Sequence, residues 1–308
     1  MKGYKGFEPG LVCKGKQYAE NTVFKEDKAE PCARGMHFCE DPFEVLNYYP
    51  IIDNNGNFNE FAEVEALDEP ITDDDKKFAS TELKIGAKLS FKGFIEICVD
   101  FVLSKTKRNN DKISSGNYAQ IGSSGYYAKI GSSGDFAQIG SSGNYAKIGS
   151  SGDFAQIGSS GNYAKIGSSG YYAQIGSSGN YAQIGSSGNS AKIGSSGNFA
   201  QIGSSGNYAQ IGSSGYYAQI GSSGDYAQIG SSGDYAQIGS GGRNSVIMCA
   251  GNSSKAKAKK GSWITLAEWQ YIDNEWTPVC VKTEQVDGER IKEDTYYQLK
   301  GGEFVECE

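Results

Sequence analysis

Four side chains near the N-terminus are of the types that metal or thiol chemistry uses: Cys13, Cys32, His37 and Cys39. Their softness and number suit zinc. The spacing C-x18-C-x4-H-x-C does not, because zinc sites usually take ligands in close pairs. The expectation is buried thiols beside one histidine, with no metal and no cofactor. His37 is the only histidine in the chain. No Ser or Cys nucleophile motif accompanies it, so a non-enzymatic protein is expected.

The elements that must position these residues lie in residues 1–110, which read as a small α+β domain. Asp41 and Pro42 fit the cap and first turn of a helix ending before Pro50, with Phe43, Leu46 and Tyr49 on one face. Phe58 to Leu67 and Leu83 to Ile85 read as strands. Phe91 to Leu103 reads as a helix with Ile95, Cys98, Val99 and Val102 on one side, its β-branched content leaving a strand as the alternative.

The stretch Arg34-Gly35-Met36-His37-Phe38-Cys39-Glu40-Asp41-Pro42-Phe43-Glu44-Val45-Leu46-Asn47-Tyr48-Tyr49, with the opening Gly3-Tyr4-Lys5-Gly6-Phe7, resembles an uncharacterised domain of phage and prophage proteins. Those proteins also place a nine-residue repeat tract after it and a short β-rich tail at the end. The resemblance implies a phage or prophage origin, and the family supplies no activity to carry over. A second likeness is to ADP-ribosyltransferase-type folds, which pair an early strand with a Gly-x-His-Phe-like strand leading into a helix with Tyr. It implies an NAD-consuming reaction that depends on Tyr4 and His37, but the acidic catalytic residue of those folds has no motif here.

Residues 111–250 are organised by a repeat of nine: Gly-Ser-Ser-Gly-(Asn/Asp/Tyr)-(Tyr/Phe)-Ala-(Gln/Lys)-Ile, with Ile recurring from Ile121 to Ile238. Nine residues cannot bury a core alone, so neighbouring units must stack. Tyr-Ala-Gln-Ile alternates with strand periodicity, which turns Ala and Ile inward and the rings and Gln/Lys outward. An inverted placement, with rings inside, needs a wider coil. Gly-Ser-Ser-Gly is the expected corner, glycine supplying backbone freedom and serine hydroxyls the turn hydrogen bonds. The calcium-binding nonapeptide shares the glycines but has Asp where this repeat has Tyr or Phe, so a calcium roll is not expected. The outward ranks are not Thr, which argues against an ice-binding face.

The residue before Ile alternates early, Gln120, Lys129, Gln138, Lys147, Gln156, Lys165, a super-period of two repeats. Two repeats per coil of ~18 residues are therefore expected, the regular copies spanning roughly 33 Å at the parallel strand spacing. One face would stack Tyr118, Phe136, Phe154, Tyr172, Tyr208 and Tyr226. The other would stack Tyr127, Tyr145, Tyr163, Tyr181, Phe199, Tyr217 and Tyr235. Ser190 leaves a gap. These ladders are the candidate binding residues; no catalytic or metal-binding residue is assigned. Lys129, Lys147 and Lys165 would line up, diluted by glutamines.

Residues 251–308 lose the repeat. Lys255, Lys257, Lys259 and Lys260 alternate with Ala into a last coil or strand edge, then strands are expected at 262–271, 276–283 and 295–306 with turns at 272–275 and 300–303. This segment would cap one end of the coil stack and the N-terminal domain the other.

Charge narrows the partners. Residues 1–110 carry net −5, residues 111–250 net +1 and residues 251–308 net −3. No segment offers the basic face that gripping nucleic acid requires. No apolar run is long enough to span a membrane, and no signal region opens the chain. The seven scattered cysteines suit reduced thiols. The expectation is a mainly β chain, a parallel β-solenoid capped at both ends. It would be a cytoplasmic phage or prophage protein binding a host protein, a counter-defence inhibitor, with homo-oligomerisation left open. The alternatives are an ADP-ribosyltransferase-like enzyme and a structural or adhesive virion component.

Overall fold

A computed structural model describes residues 1–31, 33–53, 55–74, 76–106 and 113–307. The N-terminal unit is built on a six-stranded antiparallel sheet. Its order is Thr22–Lys25, Glu82–Leu89, Glu60–Ala66, Lys2–Phe7, Met36–Cys39, Lys77–Ser80. Helix α1 (Pro42–Val45) starts where Asp41 Oδ1 accepts the Phe43 amide at 2.8 Å. It is one turn long and stops well short of Pro50. The chain leaves it as Val45 and Leu46 bury in the core and Tyr49 turns toward Cys13. Helix α2 (Phe91–Thr106) forms over the stretch expected from its apolar spacing, with the Ser90 hydroxyl accepting the Gly93 amide at its start. Both faces of the sheet are covered. Phe61 stacks on Phe94 of α2 at 3.8 Å on one side, while Phe7, Phe38 and Tyr18 pack the other.

The repeats form a parallel β-solenoid of about eight turns. Strands of Gln/Lys-Ile-Gly-Ser alternate between two sheets, and each pairs in register with the strand two repeats on: Ile121 with Ile139, Ile130 with Ile148. That is the 18-residue coil. The Ile side chains are 0–7% exposed and most repeat alanines 0%, each buried Ile contributing roughly 2–3 kcal/mol. The inward row has a third member that the Ala-Ile alternation did not announce: the serine after the first glycine, such as Ser132, Ser150 and Ser168, is fully buried.

The strand begins later than the Tyr-Ala-Gln-Ile reading placed it. The ring residue is not in the strand at all; it occupies the turn with φ of 55–60°, from Tyr118 to Tyr235, and Ser190 does likewise. A left-handed non-glycine residue costs about 1–2 kcal/mol, which stacking of its ring offsets by about 0.5–1.5 kcal/mol. Its amide also donates to the next coil, as Tyr163 N does to Asn180 O at 2.8 Å. The corner glycine has a different role from the expected one. Its φ is not positive; a Cβ on Gly143 would collide with the Gly125 carbonyl of the coil below. Glycine is needed there for close approach of backbones, not for an unusual dihedral. Serine hydroxyls hold turn amides in only some coils, as at Ser123 with Gly125 and Ser213 with Gly215, both at 3.3 Å, while those of buried serines such as Ser150 and Ser168 make no hydrogen bond among the described residues.

Val246–Cys249 and Lys255–Lys257 extend the two parallel ladders. The sheets then end on antiparallel hairpins, Trp263–Ile272 with Glu275–Gln285 and Tyr296–Lys300 with Glu303–Cys307. Their turns carry positive φ at Asp273 and Asn274, and at Gly301 and Gly302. Pro278 and the charged Lys282, Glu284, Glu303 and Glu306 sit on the terminal strands, which blunts end-to-end pairing.

The N-terminal unit does not sit over the start of the stack as a cap. Its described contacts run along the flank of one sheet: Val99 at Gly149, Ile95 at Gly167 and Gly185, Phe91 and Ile51 at Gly203, Phe58 and Ile52 at Gly221. At the far end Lys257 Nζ reaches Asn57 Oδ1 at 3.2 Å. Each Gln/Lys-Ile-Gly-Ser strand has a glycine at its outward centre, which leaves a smooth trough that admits the apolar side of α2.

Candidate functional site

The two sheets share one motif and have different surroundings. On the covered sheet two lysines of the Gln/Lys column, Lys147 and Lys165, are anchors. Lys147 Nζ lies 2.6 Å from Asp41 Oδ2 and 2.9 Å from Glu44 Oε1. Lys165 Nζ donates to Phe43 O at 2.7 Å and Asn47 Oδ1 at 2.8 Å. Both ammonium groups are largely buried, yet their proton affinities move apart. Burial disfavours the Lys147 charge, but Asp41 and Glu44 outweigh it and raise the pKa. Burial lowers Lys165 to about 8, because its direct acceptors are neutral and Lys147 repels it. Glu44 in turn is held below its usual value, Lys147 overcoming the effect of burial. Expecting these lysines to be an outward rank diluted by glutamines missed that role. The only signal was that Lys147 and Lys165 fall on the same sheet.

On the opposite sheet the outward glycines Gly122, Gly140, Gly158, Gly176, Gly194, Gly212 and Gly230 have nothing within 4 Å of a built Cβ. They floor a shallow trough of about 1370 Å³, walled by glutamines and Lys192 and ending at Val246 and Met248. Every strand of this sheet runs from one ring ladder to the other. The ladders form as the spacing predicted. Tyr118, Phe136, Phe154 and Tyr172 stack at 4.9–5.0 Å and Tyr208 on Tyr226 at 5.1 Å, with Ser190 between the two groups. The other ladder runs unbroken from Tyr127 through Tyr145, Tyr163, Tyr181, Phe199 and Tyr217 to Tyr235 at 4.8–5.3 Å. Two further rings, Tyr126 and Tyr216, join this ladder edge-on against Tyr127 and Tyr217. The Tyr-Tyr doublets were the visible signal for them. Beside the rings, Asn and Asp side chains accept the amide one coil on, as Asn144 Oδ1 does from Asn162 at 2.8 Å.

The cysteine–histidine group does not assemble as a ligand set among the described residues, where no cluster of three or more His, Cys, Asp or Glu is placed to hold a metal. Cys32 lies outside the described residues. Cys39 is buried and its thiol is pushed up to about 12 by burial, aided by Glu44 and Asp41. Cys13 accepts from Tyr49 Oη at 3.1 Å and Lys5 Nζ at 3.4 Å. It lines a cavity of about 260 Å³ in the N-terminal unit together with Tyr4 and His37. The two residues implied by the ADP-ribosyltransferase likeness therefore share one cavity. Among the described residues its one lining carboxylate is Glu26, which is ion-paired with Lys16.

Residues 1–97 match the family model described as Domain of unknown function (DUF7666). The match covers the N-terminal sheet, α1 and the first part of α2, so the cavity and the anchoring carboxylates fall inside it. No curated protein and no solved structure matches the chain. Among the described residues no helix is long and apolar enough to cross a membrane.

Proposed function

We propose that the protein is a non-enzymatic binding protein of phage or prophage origin that engages a host protein across its open sheet. The observation that carries this is the bare trough between two ladders of exposed rings. The equivalent trough on the other side is already filled by the chain's own α2 and the loop carrying Ile51 and Phe58. Extended ranks of exposed aromatic side chains mark interaction surfaces, and Tyr contributes large contact area at little entropic cost. The near-neutral repeat tract offers shape and stacking, not charge steering. The phage origin rests on the resemblance of the stretch from Arg34 to Tyr49 and on the order of domain, repeats and tail. In such a setting the partner is a component of a host defence system, blocked inside the host cytoplasm. Replacing Tyr145, Tyr163 and Tyr181 together by Ala tests this by capture from a bacterial host lysate. Loss of a partner that the intact chain retains, with the coil's circular dichroism unchanged, supports the reading; equal retention by both chains sinks it.

A second reading keeps the N-terminal unit as an ADP-ribosyltransferase-like enzyme, favoured by Tyr4 and His37 lining one cavity. It requires NAD consumption by the intact chain that His37→Ala abolishes. The absence of any such turnover removes it.

A further inference from the structure

The open sheet has a covered twin whose occupant is the chain's own α2. There Phe91 rests over Gly203, Ile95 over Gly185 and Val99 over Gly149. These side chains are spaced by four, so one face of the helix runs along the stack and across the strands. Ion pairs hold the unit down, Asp41 and Glu44 meeting Lys147. The open trough repeats this floor from Gly140 to Gly230, where a built Cβ meets nothing within 4 Å. Five coil steps separate those two glycines. At about 4.8 Å each they span about 24 Å, the length of ~16 helical residues. Helix α2 has 16.

At its C-terminal end the open trough leaves the consensus. Val246 stands where the Gln column would continue and Met248 where the glycine would, and Trp263 follows Val246 on the next strand. The three are 44–57% exposed, so the glycine floor closes against an apolar wall. Lys192 is exposed in the Gln column, three coils before Val246. An extended segment laid on this face finds no backbone partners, because the strand amides and carbonyls are spent within the parallel ladders. A helix brings its own backbone hydrogen bonds and needs only a smooth floor. We infer that the open trough seats an amphipathic helix of the partner protein, about 16 residues long, with large apolar side chains at i, i+4 and i+8. Its apolar end meets Met248, Val246 and Trp263, and a carboxylate about ten residues away meets Lys192. The N-terminal unit of a second copy lacks its anchors here, because the open column holds Gln138, Gln156 and Gln174 beside the coils that carry Lys147 and Lys165. This rests on the open sheet being a partner surface and adds the form the partner takes.

The test uses the intact chain and three fluorescein-labelled peptides of about 16 residues, read by anisotropy and circular dichroism. The first is an amphipathic helix with Phe, Ile and Val at i, i+4 and i+8, Leu at one end, and a Glu about ten residues from that Leu. The second is the first broken by two central prolines, and the third has Lys in place of the Glu. The first should bind with Kd below about 1 mM and gain helical dichroism, the second at least ~10-fold more weakly. Val246→Glu with Met248→Glu should weaken the first peptide by at least ~10-fold at an unchanged melting temperature, both side chains being exposed. Lys192→Glu should weaken it about two- to fivefold and turn the preference to the third peptide. No binding of the first peptide at about 1 mM overturns the assignment, as does equal binding of the second. So does binding that the double variant leaves within about twofold, or an unchanged preference between the first and third peptides in Lys192→Glu. Self-association of the intact chain in sedimentation that the double variant abolishes also overturns it, since a second copy then fills the trough. A host protein lost from Gly176→Arg with Gly194→Arg while no helical peptide binds would remove the helix and leave the partner surface standing.

Discussion

Gly203 and Gly212 stand one repeat apart in the same motif. A Cβ on Gly203 would press on Phe91 and Ile51, while one on Gly212 would meet nothing within 4 Å. The two sheets therefore share backbone, core and ring ladders, and differ in what covers them. The cover is selected by few residues: Lys147 and Lys165 reach carboxylate and carbonyl groups of the N-terminal unit, whereas the open sheet carries glutamines and a single Lys192 in that column. A repeat copied nearly without change makes two similar troughs, and the variable Gln/Lys position supplies two of the contacts that hold the N-terminal unit on one of them.

The largest contrast should come from Lys147→Ala. It strands Asp41 and Glu44, both mostly buried, and should cost about 3 kcal/mol in chemical denaturation. Lys192→Ala on the open sheet should change stability by less than about 0.5 kcal/mol. If the two variants melt alike, the lysines do not anchor the unit. Next, Gly203→Val should lose about 1–3 kcal/mol through overpacking against Phe91 and Ile51. Gly212→Val should be close to neutral, and amide exchange of α2 would show whether the N-terminal unit has lifted away in the first variant alone.

The pH dependence sharpens the same contrast. Lys165 has a folded pKa of about 8, below its ordinary 10.5, so the folded state binds its proton less tightly than the unfolded state. Its penalty is full below about pH 8 and fades as pH rises toward 10.5, so stability gains over that window. Lys147 has the opposite sign: its contribution is present below 10.5 and is lost as pH rises through its raised folded value. Glu44 contributes above its ordinary 4.5, and that is lost as pH falls through its lowered folded value. Lys165→Gln should remove the gain between about pH 8 and about pH 10. The smallest effect is expected from Asn162→Ala, which removes the acceptor for the Asn180 amide at 2.8 Å. About 1 kcal/mol should be lost, with no change in docking of the N-terminal unit.

Much of the coil could be read before its structure was known, because period carries geometry. Ile at every ninth position and the Gln/Lys alternation gave the 18-residue turn, and the ring positions then fell into two ladders. What could not be read were contacts between distant segments. Nothing in the spacing of Lys147 pairs it with Asp41, which lies 106 residues earlier. The left-handed turn at the rings was hidden for another reason. Alternation of Tyr, Ala, Gln and Ile is compatible with a strand that begins at Tyr, whereas the positive φ of the ring residue and the close approach of Gly143 to Gly125 belong to the contact between coils. The N-terminal cavity was half visible: Tyr4, Cys13 and His37 drew notice individually, but Lys5 reads in sequence as one more surface lysine. It is the fold of Lys2–Phe7 between Glu60–Ala66 and Met36–Cys39 that buries it.

The proposed partner surface is the open sheet. Gly176→Arg with Gly194→Arg fills the middle of the open trough without touching the core or the covered sheet. Capture from host lysate with this variant and with the intact chain, at equal loading, gives the comparison. A protein retained by the intact chain should be lost from the variant, with both chains melting alike. Retention of the same protein by both chains would contradict it.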